Sequence, residues 1–121
     1  MRILSWSNIT GDEVQRYDSV GAAYALLART SGDAALGIIT IAPLGHLGCH
    51  PAAATQAFMV LVGAGHVAGR DGREQPVKEG DVVLWDRGEE HETIADEKMV
   101  ALVIEADELA FDSLADERRG P

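Results

Sequence analysis

The sequence is poor in cysteine, in aromatic residues and in positive charge: one Cys, two Trp, two Tyr and two Phe among 121 residues, and 10 basic side chains against 20 acidic ones. The lone Cys49 has no partner for an intramolecular disulfide, so packing rather than cross-linking must hold the fold. A formal charge of -10 would repel a phosphate backbone, and no Lys/Arg cluster offsets it locally. Nucleic acid and anionic membrane are therefore not expected as partners. No apolar run approaches the roughly 18 residues of a membrane span. The N-terminal stretch MRILSWSNIT has too short an apolar run for a signal peptide. Together these features predict a cytoplasmic protein.

What remains, with 46% hydrophobic and 25% charged residues, has the profile of one domain over residues 1–121, long enough to enclose a single core. Glycine supplies the punctuation, and ten of the 13 glycines fall between Gly32 and Gly88. Between these breaks lie short apolar runs of strand length: Ala34 to Ala42, Gln56 to Val62, His66 to Ala68, Asp81 to Trp85 and Met99 to Glu105. Regularly spaced short strands predict an all-β sandwich or barrel. Arg70-Asp71-Gly72-Arg73 reads as a hairpin turn, Glu79-Gly80-Asp81 as a second turn, and Gly63-Ala64-Gly65 as a third hairpin. Tyr24 to Arg29 is expected as a strand ahead of a turn at Ser31-Gly32-Asp33. The acidic C-terminal tail, about 106–121, reads as a docked helix or a frayed end. In Gln56 to Val62, alternation sends Phe58, Val60 and Val62 to one face and Met59 and Leu61 to the other. Both faces are apolar, which points to a homodimer that covers the outer one, with the terminal segments as the alternative cover.

Two segments carry the chemistry. The first runs from Gly45 through His46, Cys49, His50, Ala52 and Gln56 to Gly63; the second runs from Gly80 through Asp86 and Gly88 to His91. Their spacings resemble the two motifs of the cupin superfamily, small jelly-roll β-barrels. Gly80, Gly88 and His91 keep the second motif's spacing, with Asp86 at its usual proline. In the first motif His50 falls on the leading histidine, Ala52 on the second, Gln56 on the glutamate and Gly63 on the closing glycine. The resemblance spans about residues 36–105 and implies a single-domain cupin-type jelly-roll barrel with short terminal extensions.

The resemblance further implies a barrel pocket lined by His50, Gln56, Phe58, Trp85 and His91. It also implies a place for one divalent metal ion (Zn, Fe, Mn or Ni) at His50, Gln56 and His91, with His46 as a substitute for the imidazole missing at Ala52. Two imidazoles and a neutral amide offer such an ion no negative charge, unlike the common two-histidine, one-carboxylate sites. The expected function is therefore binding of a small-molecule ligand in the pocket. A metal-dependent dioxygenase or isomerase is the alternative, and a metal-free epimerase with His91 as base comes third, since Tyr17 and Tyr24 lie far from the motifs. Cys49 beside His50 invites a nucleophile reading, but neighbours on a strand point to opposite faces. His66 is expected at a strand end, and Glu89, Glu90 and Glu92 as a solvated rim. A pocket of neutral groups argues against an anionic ligand unless Arg87 turns inward.

Overall fold

The computed structural model describes residues 1–7 and 11–111, and the backbone of 116–118. Twelve strands occur among these residues: β1 (Arg2–Ser5), β2 (Asp12–Glu13), β3 (Ala23–Tyr24), β4 (Ala28–Ile41), β5 (His46–Pro51), β6 (Thr55–Val62), β7 (Ala64–Ala68), β8 (Glu74–Lys78), β9 (Asp81–Trp85), β10 (Glu90–Ala95), β11 (Met99–Phe111) and β12 (Asp116–Arg118). A six-stranded sheet in the order β12-β1-β9-β6-β11-β4 and a four-stranded sheet in the order β5-β10-β7-β8 form an all-β jelly roll, with β2-β3 a small separate ribbon. The five apolar runs expected as strands are the spines of β4, β6, β7, β9 and β11. Branched and aromatic side chains there suit a pleated, buried surface.

The core lies between the two sheets. Ile3, Phe58, Val60, Val83, Trp85 and Ala101 come from the larger sheet, and Val67, Val77 and Ala95 from the smaller. Burying such side chains contributes about 1.5–3 kcal/mol each against exposure. The outer face of the larger sheet carries a second cluster. Leu4, Ala57 and Val82 are buried there, with Trp6, Met59, Leu84, Ile104, Leu109 and Phe111 packed against them.

Several local expectations are corrected. Alternation in β6 holds for Phe58, Val60 and Met59 but fails beyond Val60. There Val100 and Ala101 oppose Val62 and Val60, so Leu61 is an extra, bulged residue and both Leu61 and Val62 emerge into solvent. Ser31-Gly32-Asp33 is not a turn. β4 runs straight through it as a bulge opposite Ala106 to Glu108, with Gly32 at φ +76 and the Asp33 N–H donating to Asp107 Oδ2 at 2.9 Å. Tyr24 to Arg29 is divided between the end of β3 and the start of β4. The tail from Asp107 to Phe111 is neither helix nor frayed end but the continuation of β11, paired with Ala28 to Ser31. Residues 112–115 and 119–121 of that tail lie outside the described residues. Gly63 joins strands of different sheets, so no hairpin forms there. The Arg70 to Arg73 turn does close a hairpin between β7 and β8, with the Gly72 N–H donating to the Gly69 carbonyl at 2.9 Å.

Candidate functional site

Inward-facing residues of both sheets converge on a cavity of about 160 Å³. His50, Gln56, Phe58, Trp85 and His91 all line it. From the larger sheet, Gln56 on β6 pairs in register with Trp85 on β9 and with Glu105 on β11, giving one row across the floor. From the smaller sheet, His50 on β5 and His91 on β10 are register partners with ring centroids 4.4 Å apart. The His91 ring lies over Trp85 at 4.3 Å and 30°, and Phe58 meets Trp85 edge-on at 5.9 Å. Trp85 is 1% exposed, and among the described residues its indole Nε1 is the buried side-chain polar atom left without a hydrogen-bond partner.

Backbone carbonyls set the state of both histidines. His50 Nδ1 lies 2.7 Å from the Gly48 carbonyl and His91 Nδ1 lies 3.0 Å from the Glu89 carbonyl. A carbonyl can only accept, so in each ring Nδ1 carries a hydrogen. His91 is 3% exposed. Desolvation, reinforced by His50, lowers its pKa despite the raising influence of the Glu89 carbonyl, Glu89 and Glu105. It is therefore neutral at physiological pH.

A bulge in β5 decides which first-motif residues face inward. His91 and Thr93 on β10 oppose His50 and Leu47, so β5 holds one residue more than its partner across this step. The bulge turns Leu47 and His50 to the same side, and both line the cavity. His46, which regular alternation would place on the His50 face, is exposed, pairs with Ile94 and does not line the cavity. The expected substitute ligand therefore lies outside the cavity that His50 lines. Cys49 is exposed, with its Sγ 3.8 Å from Glu90 Oε2; desolvation, then Glu90 and Glu92, raise its thiol pKa. That is the reverse of an activated nucleophile.

Ala52, at the position of the missing imidazole, is buried and acts through its backbone: its N–H donates to the Glu89 carbonyl and its own carbonyl accepts from Gly88. Glu89 is not a solvated rim residue. It is 3% exposed and accepts from the Met1 ammonium at 2.9 Å, the Asp86 N–H at 3.0 Å and the Arg70 N–H at 3.3 Å. Burial alone would raise its pKa, but these donors outweigh it and hold the carboxyl low. A nearby hollow of about 230 Å³ is lined by Met1, Arg70 and Glu89 of this cluster, and both Glu89 carboxylate oxygens are already engaged. His66 lies mid-strand, with Nδ1 3.1 Å from Asp96 Oδ2, and not at a strand end. Arg87 points outward, 3.6 Å from Asp107.

Sequence reasoning missed Thr93 and Glu105, both of which line the cavity. Glu105 falls outside the two motifs. Continuing the inward alternation of Met99, Ala101 and Val103 along β11 would have found it.

A jelly roll with two inward imidazoles on facing register positions belongs to the small β-barrel proteins that enclose their sites. The chain is a member of the cupin family: the family's Cupin domain matches residues 37–105. A conserved protein of unknown function from Streptococcus pyogenes aligns at 19% identity over 68% of this chain and 74% of its own, with a TM-score of 0.58. A predicted oxalate decarboxylase from Thermotoga maritima aligns at 23% over 59% and 64%, with a TM-score of 0.55. The salicylate 1,2-dioxygenase of Pseudoaminobacter salicylatoxidans aligns at 11% over 66% of this chain and 24% of its own, with a TM-score of 0.58. These are likenesses of fold. No curated protein matches the sequence.

Cupins often bind a metal ion, but the donors here do not assemble a site for one. Among the described residues no three His, Cys, Asp or Glu side chains are grouped to hold an ion. His50 and His91 share their cavity with the Gln56 amide and with Glu105, but Ala52 leaves a methyl group where a further imidazole would complete the set. Nor does any described helix have the length and apolarity to cross a membrane.

Proposed function

We propose that the barrel binds a small organic molecule in the cavity between the sheets, held against Trp85 and His91. The observation that carries this reading is the unpartnered indole N–H of Trp85 beside the cavity. A buried donor left unsatisfied costs about 1–3 kcal/mol, and a bound acceptor recovers it. The aromatic wall and a few convergent polar groups have the character of a ligand pocket. We further take the protein to be a cytoplasmic homodimer. The exposed thiol of Cys49 suits a reducing compartment, and the edge strand β4 offers a surface for a second copy.

The test is a fragment screen against the full chain in a Trp6→Phe background, which leaves Trp85 as the sole indole. Hits are expected to change Trp85 fluorescence, raise the melting temperature and weaken at least ten-fold when Val103→Phe fills the cavity. Hits that bind Val103→Phe equally well, or a chemically diverse library that never perturbs Trp85, would overturn the proposal.

A further inference from the structure

The polar groups of the cavity are unbalanced in sign. Among the described residues no Lys or Arg lines it, and Glu105 is the one formally charged side chain there. The two arginines closest in sequence or register are engaged elsewhere or lie along an edge: Arg87 reaches outward to Asp107, and Arg29 pairs in β4 beyond the bulge, opposite Ala110. No cationic side chain among the described residues neutralises Glu105. On the facing wall both imidazoles spend their Nδ1–H on backbone carbonyls, and neutral His91 keeps its Nε2 lone pair as an acceptor. The remaining wall is Trp85 and Phe58, with the Trp85 indole stacked under His91 and its N–H left without a partner.

We propose that the cavity selects a small hydroxyl-bearing organic ammonium ion, its cation beside the Glu105 carboxylate and its hydroxyl oxygen accepting from the Trp85 indole N–H. This rests on the small-molecule reading above and deepens it. The ammonium group gains charge attraction to Glu105 and N–H or polarised C–H donation to the free ring nitrogen of neutral His91. A carboxylate or phosphate ligand would meet a like charge at Glu105 and find no cation to offset it. A divalent metal would need His50, His91 and Glu105 to converge on one point, and no three such side chains are grouped to hold an ion among the described residues. The register row makes the arrangement specific, because Glu105, Gln56 and Trp85 sit on adjacent strands of one rigid sheet. The cavity, about 160 Å³, suits an ion of choline or ethanolammonium size.

The experiment is calorimetric titration of the full chain with choline, with its neutral isostere 3,3-dimethylbutan-1-ol, with ethanolammonium, with propionate and with Zn²⁺ or Mn²⁺. Each titration is repeated on Glu105→Gln after melting curves show that the variant folds. The expected result is ammonium binding at least ten-fold tighter than the neutral isostere, with the preference abolished in Glu105→Gln while the isostere's affinity is unchanged. Equal or tighter binding of the alcohol or of propionate overturns cation selection and leaves the small-molecule reading standing. Binding of a metal ion alone, or of none of these probes together with a failed fragment screen, overturns both.

Discussion

Glu89 shows how one side chain can order a motif without joining the chemistry. Its two oxygens gather the Met1 ammonium and the N–H groups of Arg70 and Asp86, while its main-chain carbonyl fixes Nδ1 of His91. Glu89→Ala leaves these donors without their acceptor, and urea unfolding should show a loss of about 3 kcal/mol, on the scale of hydrogen bonds to charged groups. Acid should act through two groups. Folding lowers the pKa of His91 and of Glu89, so at both sites the unfolded chain binds the proton more readily and stability rises with pH. The stability contributed by neutral His91 is complete above the ordinary histidine value, about 6.5, and is lost as pH falls below it. That contributed by ionised Glu89 is complete above about 4.3 and is lost as pH falls further. Measured from pH 8 to 3, the parent should show both declines, and Glu89→Gln only the upper one. An unchanged slope below pH 5 in the variant would remove Glu89 from this account. The histidines of this site were legible from motif spacing alone. Glu89 was not, because three flanking acids look alike in sequence and only the turn geometry separates the buried one from Glu90 and Glu92.

At the scale of elements, bulges and crossings decide what faces the cavity. Gly63 carries the chain from the larger sheet to the smaller at φ +89, where a Cβ would run into the Lys98 carbonyl. Gly63→Ala must therefore accept a left-handed backbone and displace main chain. The conformational part alone costs about 1–2 kcal/mol, so a loss of at least about 2 kcal/mol is expected in urea unfolding; a change under 0.5 kcal/mol would show that the crossing relaxes freely. This glycine looked like a hairpin turn in sequence because two glycines between apolar runs carry no information on which sheet each run enters. The same limit applies in β5. Whether His46 or Leu47 shares the inward side with His50 depends on one extra residue near Gly48, and period-two alternation has no signal for a bulge. The apolar runs of β6, β7, β9 and β11, by contrast, were readable as strands because their branched side chains are buried on one or both faces, whereas that of β4 was readable from its branched residues although Leu36 and Ile38 are exposed. The short polar strands β2 and β8 left no such trace.

At the scale of the whole molecule, the larger sheet ends on β4, a strand of 14 residues hydrogen-bonded to β11 on one side, with no strand neighbour on the other among the described residues. Edge strands that stay solitary are usually short, or blunted by charge, proline or a bulge. Arg29, Asp33 and the bulge blunt the first part of β4, but residues 34–41 carry none of these, and Leu36 and Ile38 are 67% and 63% exposed. Their register partners Ile104 and Leu102 place both on the outer face of the sheet, so they extend the apolar surface of Leu84, Met59 and Ile104 to the rim. An antiparallel strand is complementary to its own copy about a two-fold axis, which makes a second chain the occupant that needs no further adaptation. The surface charge of -10 opposes association at low salt, so dimerisation should strengthen as salt rises. Light scattering at micromolar concentration in moderate salt should give twice the 12.9 kDa chain mass. Ile38→Lys, which plants a charge on the contact while leaving the buried core untouched, should return the protein to a single chain with its melting curve still cooperative. A parent that stays at 12.9 kDa across the salt series would leave β4 a bare edge. The outer apolar face would then be covered by the chain's own segments rather than by a partner.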